Sequence, residues 1–267
     1  MLYREKADFL NMQEFLSQSK NMDEMTGLIQ KSVLWELLAE YPDFRYFDSS
    51  NLARTMQDIY TYTSRPFVLI IDEWDCIFRE YKIDKQAQER YLDFLRNLIK
   101  DKAYVHLAYM TGILPIKKYG THSALNMFDE FSMLDPGPLA AYVGFTEEEV
   151  QKLCERYQMD MTEVKSWYDG YSFEQEPSVY SPRSVVNCMR FRKIGNYWNQ
   201  TETFEALQMY IDMNFDGLRD DVLTLLIHLG YLGYDAENRC IFIPNNEMRT
   251  ILRKLRGIPR QYIAGRN

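Results

Sequence analysis

The sequence predicts a mixed α/β fold, in which an incomplete parallel β-sheet is followed by a mostly helical part. An unbroken apolar run, Phe-Val-Leu-Ile-Ile, occupies residues 67–71 directly after Pro66. Such runs, rich in β-branched residues, are typical of strands that are buried on both faces of a parallel sheet. Leucines at helical spacing follow at 85–100, and a second strand candidate lies at 104–110. Strand, helix and strand in this order indicate a parallel βαβ unit.

The segment before this unit is expected to be helical, because its apolar residues recur at spacings of three and four. Two helices are predicted, and the Asp-Ser-Ser sequence at 48–50 supplies N-cap candidates for the second. The apolar positions that define the two helices are Leu28, Ile29, Val33, Leu34 and Leu37 in the first, and Leu52, Met56 and Ile59 in the second.

From residue 144 onward the pattern changes to helices. Thr146 and Glu149 have the spacing of a capping box, which predicts a helix that begins directly after Thr146. A helix is also predicted at 222–229, then a hairpin at 231–244 and a closing helix at 248–255. This order of helix, hairpin and helix resembles a winged-helix unit.

The length of 267 residues allows one large domain or two small ones. The Asp-Pro-Gly-Pro sequence at 135–138 interrupts regular structure shortly before the helical pattern begins. We therefore expect a partial α/β core at 1–143 and a helical lid with the winged-helix-like region at 144–267.

Composition excludes several classes of partner. The net charge of −8 and the pI of about 5.1 argue against broad electrostatic binding to nucleic acid. No run approaches the ~18 apolar residues that a membrane span needs, and no apolar signal segment follows the first residues. The four cysteines are widely spaced, which argues against a zinc site or a disulfide framework. We expect a cytoplasmic protein that binds neither nucleic acid nor a membrane.

The strand candidate at 67–71 ends in two carboxylates, Asp72 and Glu73. Parallel α/β sheets bind ligands at the carboxyl ends of their strands, and an apolar strand that ends in Asp-Glu is the Walker B pattern. In that pattern Asp72 holds Mg²⁺, directly or through water, and Glu73 orients the water that attacks the γ-phosphate. The alternative is that the pair simply ends a core strand at the solvent.

Two further residues are candidates for contacts with phosphate. Thr111 follows the strand candidate at 104–110, which is the sensor 1 position, where a polar side chain contacts the γ-phosphate or the attacking water. Arg183 is a candidate charge-sensing arginine. A threonine at a strand end is common, however, and a surface salt bridge is the simpler interpretation of Arg183.

The sequence contains no phosphate-binding loop of the Walker A type. That loop reads G-x-x-x-x-G-K-[ST], because glycines allow main-chain N–H groups to approach the phosphate oxygens. Gly27 is the only glycine before Asp72, and no Gly-Lys pair occurs anywhere in the sequence. The chain therefore lacks the groups that hold most of a nucleoside triphosphate.

Several sequence blocks, taken together, resemble the AAA-ATPase-like family of bacterial proteins, many of which carry a C-terminal PD-(D/E)XK nuclease-like domain. The blocks occur in the family's order and the resemblance covers about 1–250. They are FVLIIDEWD at 67–75, YMTGILPIK at 109–117, SALNMF at 123–128, GFTEEEV at 144–150, WYDGY at 167–171 and VYSPRSV at 179–185.

This resemblance implies a P-loop NTPase-like fold with Mg²⁺ and ATP as ligands. It assigns Asp72 and Glu73 to the Walker B motif, with Asp72 as the metal ligand, and Thr111 to the sensor position. Compared with the family, the chain lacks the N-terminal P-loop segment, a stretch before Asp220 and the nuclease-like domain after about 255. We therefore expect a fragment that neither binds nor hydrolyses ATP by itself.

Two alternatives differ from an ATPase. Glu80 and Lys82 form an E-x-K pattern behind Asp75, as in PD-(D/E)XK nucleases, but the intervening residues are too few to place them on neighbouring strands around one metal. The second alternative is a degenerate, non-enzymatic domain whose contacts are with a protein partner or with a second copy of the chain.

Overall fold

The computed structural model describes residues 6–81, 83–113, 126–174, 176–198, 219–235 and 237–254. The chain divides into two compact units, Met1–Glu130 and Phe131–Asn267. The boundary that the sequence predicts, between 143 and 144, falls a short way into the second unit.

In its described residues, the first unit alternates helices with three strands. Its strands are β1 (Lys6–Asn11), β2 (Phe67–Asp72) and β3 (Val105–Met110), and its helices are α1 (Met12–Ser17), α2 (Met22–Glu40), α3 (Leu52–Thr63), α4 (Cys76–Glu80) and α5 (Lys85–Ile99). Helix α2 contains the first predicted apolar stripe and α3 the second. The N-cap of α3 is Asn51, whose side chain accepts the Arg54 N–H, so the prediction of an N-cap at 48–50 is wrong.

The three strands form one parallel sheet in the order β1-β2-β3. The parallel pairing of β2 with β3, with α5 between them in sequence, confirms the predicted βαβ unit. Strand β1 is not predicted by the sequence pattern. Its register places Phe9 beside Ile70 and Asn11 beside Asp72, so β1 ends at the same edge of the sheet as β2.

The two faces of the central strand differ in burial. Phe67, Leu69 and Ile71 are at most 3% exposed, whereas Val68 and Ile70 on the opposite face are only half-buried. The expectation that this strand is buried on both faces is therefore wrong. Both crossovers step in the same direction across the sheet, and right-handed crossovers of that kind place their helices on one face only.

The described part of the second unit is mostly helical. Its elements are β4 (Phe145–Thr146), α6 (Glu147–Tyr157), α7 (Met161–Tyr168), β5 (Val179–Tyr180), α8 (Pro182–Phe191), α9 (Arg219–His228), β6 (Gly233–Asp235), β7 (Cys240–Phe242) and α10 (Asn246–Lys254), with a 3₁₀ turn at Gly137–Tyr142. The capping box at Thr146 and Glu149 is confirmed, since both of its hydrogen bonds are present. Its core includes Val150, Tyr168 and Val185, which α6, α7 and α8 contribute.

The predicted order of helix, hairpin and helix is present in α9, the antiparallel pair β6–β7 and α10. Their likeness to a winged-helix unit stays a prediction. Over the described ranges, no helix combines the length and the apolar character that crossing a membrane requires.

Candidate functional site

Two neighbouring parallel strands, β2 and β3, end side by side at one edge of the sheet. Ile71 pairs with Met110 in the register, and Asp72 is the last residue of β2. Thr111 follows β3 directly, and its N–H donates to the Ile71 carbonyl at 2.9 Å. The Thr111 carbonyl accepts the Trp74 N–H at 3.0 Å. These main-chain bonds extend the pairing beyond the strand ends and place Thr111 beside Asp72.

The side chains of these two predicted site residues are joined by a hydrogen bond. Thr111 Oγ1 donates to Asp72 Oδ1. The Glu73 N–H donates to the same oxygen at 3.0 Å. Both of these hydrogen bonds are accepted by Oδ1, so the protein holds this carboxylate oxygen in place.

Glu73 lies just beyond the strand and has a left-handed backbone conformation, with a φ of 55°. Residues other than glycine adopt this conformation infrequently, although five others in the described chain do so, three of them at helix C-caps. The Glu73 carboxylate forms an ion pair with the guanidinium group of Arg79. The structure therefore directs Asp72 towards Thr111 and Glu73 towards Arg79.

A third carboxylate, that of Asp75, joins the segments that follow β2 and β3. Its side chain is fully buried, and Asp75 Oδ2 accepts the Ile113 N–H at 3.1 Å. Arg79 Nε lies 3.9 Å from the same oxygen. Gly112 permits this close packing, because a Cβ at that position would lie 2.6 Å from Trp74 Cδ1 and 2.7 Å from Asp75 Oδ1.

Burial and nearby charges shift the pKa values of two side chains beside the site, Glu73 and Cys76. Burial raises the pKa of the Glu73 carboxyl, the Arg79 guanidinium opposes that shift, and the charges of Asp75 and Asp72 add to it. A carboxyl with a raised pKa is a better proton acceptor near neutral pH. Burial also raises the pKa of the Cys76 thiol to about 12. That thiol therefore stays protonated and does not act as a nucleophile.

The third predicted phosphate-contacting residue, Arg183, lies in the first turn of α8 and is exposed. Its carbonyl accepts a hydrogen bond from Asn187 Nδ2 at 3.0 Å. Arg183 and Asp72 belong to different units, so the charge-sensing role stays a prediction. Residues 114–125, which include parts of two family-like blocks, lie outside the described residues.

Sequence reasoning missed Arg79 and Gly112 as parts of this site. The available signal for Arg79 was its distance of four residues from Asp75, the spacing of an ion pair on one helix face. The signal for Gly112 was its position at a strand end, where glycine often marks a close approach of two backbone segments. Neither signal identifies Glu73 as the partner of Arg79.

Comparisons with known proteins add one relative. No protein-family profile and no solved structure matches the chain. A protein of Azotobacter chroococcum mcd 1, described as an uncharacterized protein in the vnfD 5' region, is 30% identical over 142 residues. The match covers 51% of this chain and 27% of that protein, so the chain spans about a quarter of its relative's length. The relative's name gives no activity, and the resemblance to AAA-ATPase-like proteins stays a prediction.

Proposed function

We propose that this chain is the Walker B part of an AAA-type, P-loop-like ATPase, and that it needs a separate phosphate-binding loop to bind Mg²⁺ and ATP tightly. The observation that carries this proposal is the hydrogen bond between Thr111 and Asp72 at the carboxyl ends of neighbouring parallel strands. A Walker B acid and a sensor residue must be neighbours in this way, because both act at the γ-phosphate and its metal ion.

The donor groups present fit Mg²⁺ as a ligand that is shared with a nucleotide. Mg²⁺ is usually bound through one or two carboxylates together with water and substrate phosphates. Asp72 supplies one such oxygen, Oδ2, while Thr111 fixes the orientation of the carboxylate. Within the described ranges no group of three or more His, Cys, Asp or Glu side chains that could hold a metal ion occurs. When bound, Mg²⁺ neutralises charge on the phosphates.

Glu73 is proposed as the residue that orients the attacking water. Its carboxylate pairs with Arg79 through Oε2 only, and the side chain is 33% exposed, so the other oxygen can accept a hydrogen bond from water. Catalytic hydrogen bonds often tighten only when substrate is bound, which makes this arrangement compatible with the role. Arg79 adds a cation next to Glu73 at this edge of the sheet.

The likeness of the two units to parts of an AAA-type ATPase belongs to the same proposal. The β1-β2-β3 sheet corresponds to part of a P-loop NTPase-like sheet, and the second unit corresponds to a helical lid with a winged-helix-like region. The role of Arg183 as a charge-sensing arginine belongs to the same proposal.

A titration with Mg-ATP, followed by NMR of the main-chain amides, tests the proposal. We expect weak binding, seen only as ATP approaches about 10 mM, with shifts concentrated at residues 72, 73 and 111. Asp72→Asn is the matched variant, since it keeps the acceptor of the Thr111 hydrogen bond and removes the charge that holds Mg²⁺. Shifts that are spread over the surface, or that persist unchanged in Asp72→Asn, would contradict the proposed site.

A non-enzymatic protein-binding domain is the second candidate, and one observation favours it. Phe9, Leu107 and Tyr109 lie on one face of the parallel sheet and are 63%, 52% and 47% exposed. Large exposed apolar groups on neighbouring strands are typical of an interaction surface. Nucleotide binding that is absent even from a complex of this chain with a loop-bearing partner would favour this candidate.

A further inference from the structure

The outer side of α8 carries positive charge, although the net charge of the whole chain is −8. Residues 177–201 contain four lysines and arginines and no aspartate or glutamate. Arg190, Arg192 and Lys193 are exposed at the C-terminal end of α8. Beside them, Val186 and Phe191 are 52% and 58% exposed. We call these five residues the basic face, a surface on which cations and apolar groups lie together.

The packing beneath α8 holds the basic face in place. On the opposite side of the helix, Val185, Cys188 and Met189 are buried in the core of the second unit. After the helix, the Lys193 N–H donates to the Cys188 carbonyl at 3.2 Å, and the Tyr197 hydroxyl donates to the Lys193 carbonyl at 2.8 Å. The backbone of the basic face is thus ordered before a partner binds, which lowers the entropic cost of binding.

The stability of the helix explains only part of this pattern. Cations near a helix C-terminus complement its partial negative charge, which accounts for Arg190, Arg192 and Lys193. It does not account for Val186 and Phe191, whose apolar side chains stay more than half exposed beside these cations. Aromatic residues and arginines are the side chains in which protein interfaces are enriched. The composition of the basic face is therefore that of an interaction surface.

Two observations favour a protein partner over a nucleic acid. The Phe191 ring stacks on the Tyr197 ring, with centroids 6.1 Å apart, and the Arg190 guanidinium lies 5.4 Å from the Phe191 centroid. These contacts leave less of the ring for the stacking of a base, on which single-stranded nucleic acid binding depends. The net charge of −8 also opposes a polyanion that extends beyond the basic face. A short acidic segment of a protein avoids both difficulties.

We propose that the basic face binds an acidic, amphipathic helix of a protein partner. Val186 and Arg190 are four residues apart, so their side chains are neighbours on successive turns of α8. An amphipathic helix presents apolar and acidic side chains in adjacent rows, which matches this arrangement. Its apolar row contacts Val186 and Phe191, and its carboxylates pair with Arg190, Arg192 and Lys193. Guanidinium groups bind carboxylates through two parallel hydrogen bonds. This inference concerns the second unit and does not rest on the proposed function.

Binding of designed peptides to the full chain, measured by fluorescence anisotropy, tests the inference. The probes are several independently designed helices of about 20 residues, each with a row of leucines and glutamates placed one turn from them. A single helix face is smaller than the roughly 800 Å² that each side of a standard interface buries, so we expect weak binding, with a Kd of about 1–100 μM. The matched control has glutamine in place of each glutamate and is expected to bind about tenfold more weakly or worse.

Three chain variants localise the binding surface. Arg190→Glu reverses a charge on the basic face and is expected to weaken binding by about tenfold or more. Arg156→Glu makes the same change at an exposed position of α6 and is expected to leave binding unchanged. Val186→Lys removes an apolar contact but adds a positive charge, and is also expected to weaken binding of the acidic helix. Thermal unfolding shows whether each variant is folded, and the outcome for Val186→Lys does not depend on that for Arg190→Glu.

The inference is overturned if no glutamate helix binds, if the glutamine helices bind as tightly, or if both Arg190→Glu and Val186→Lys bind as well as the parent chain. A single-stranded oligonucleotide that displaces the helices, and that binds Val186→Lys more tightly than the parent chain, would assign the surface to nucleic acid instead. Conversion of a self-associated chain to a monomer by Arg190→Glu would assign it to a second copy of the chain.

Discussion

The Thr111 hydroxyl donates a hydrogen bond to Asp72, although the two residues are 39 positions apart in the sequence. The bond depends on the register of β3 against β2, since a slip of one residue would turn the Thr111 side chain to the other face of the sheet. The same register places Tyr109 beside Ile70, on the face of the sheet that also includes Val68. One strand pairing thus positions both Asp72 and Thr111 in the candidate site.

Removing the Thr111 hydroxyl tests this relationship directly. Thr111→Val keeps the β-branched shape but loses the donor to Asp72, and we expect it to lower the free energy of unfolding by about 1 kcal/mol. Thr111→Ser retains a hydroxyl and is the control, with a smaller loss expected. Urea unfolding of the three proteins measures the difference. Equal stability of Thr111→Val and the parent chain would show that the bond contributes nothing.

The ion pairs around Arg79 are expected to contribute more to stability than those at the surface. Arg79→Met leaves the buried Asp75 carboxylate without this nearby cation, and we expect a loss of about 3 kcal/mol in the free energy of unfolding. Arg90→Met is the control, because Arg90 and Asp23 pair at 2.9 Å with both side chains largely exposed. Its expected cost is below about 1 kcal/mol. Similar losses in both variants, again by urea unfolding, would contradict the structural role of Arg79.

The parallel core of the fold was predictable because its signals are local. Residues 67–71 form an unbroken apolar run and α5 has a clear helical period, so the βαβ unit follows from the sequence. Strand β1 was not predictable, since its segment Lys-Ala-Asp-Phe-Leu-Asn has no strand pattern of its own. It becomes a strand through its pairing with β2, and strand formation depends strongly on such neighbours.

Part of the candidate site was predictable because it depends only on where β2 and β3 end. Carboxyl ends of neighbouring parallel strands meet at one edge, so the positions of Asp72 and Thr111 relative to each other followed from the strand assignment. The partner of Glu73 did not follow. The Glu73–Arg79 ion pair forms where Glu73 adopts a positive φ, and no sequence pattern indicates that conformation at a glutamate.

Gly170, in the family-like block at 167–171, is expected to be essential for the stability of the second unit. Gly170 has a φ of 116°, and a Cβ there would lie 2.1 Å from the Pro244 carbonyl oxygen. We expect Gly170→Ala to lower the free energy of unfolding by more than about 2 kcal/mol. Gly27→Ala is the control, since a Cβ on that helical glycine meets nothing within 4 Å and is expected to stabilise by about 0.5–1 kcal/mol. Thermal unfolding that ranks the two variants in the reverse order would contradict this assignment.

Glu247 is expected to make the stability of the second unit depend on pH. Its side chain is fully buried and accepts the N–H groups of Tyr197 and Trp198 at 2.6 and 3.0 Å. Burial raises the pKa of Glu247 above its ordinary value, and the hydrogen bonds to Ser184 and to these amides oppose the shift. The stability that Glu247 contributes is therefore fully present below its unfolded pKa and is lost as the pH rises through the raised folded pKa.

Replacing Glu247 should reveal this dependence. Glu247→Gln keeps the acceptor but cannot ionise, so we expect its stability relative to the parent chain to increase as the pH is raised from acid to neutral. Glu247→Ala removes the acceptor and is expected to lose about 1–3 kcal/mol for each amide left without a partner, at every pH. Denaturant unfolding over a pH series measures both. A Gln variant that becomes less stable than the parent chain as the pH rises would contradict the sign of the shift.

We expect that this chain alone does not hydrolyse ATP at a measurable rate. A phosphate-binding loop supplies several charge-assisted hydrogen bonds, and losing about three of them removes roughly 4.5 kcal/mol of binding free energy. Each 1.4 kcal/mol is about a factor of ten in affinity, so a typical micromolar site weakens to about millimolar or beyond. Asp72 and Glu73 cannot compensate, because their carboxylates repel the triphosphate unless Mg²⁺ is already bound. Calorimetry with Mg-ATP on the parent chain, Asp72→Ala and Glu73→Gln measures this affinity, and phosphate release measures turnover. Micromolar binding by the parent chain that disappears in Asp72→Ala would show that the site is complete without the loop.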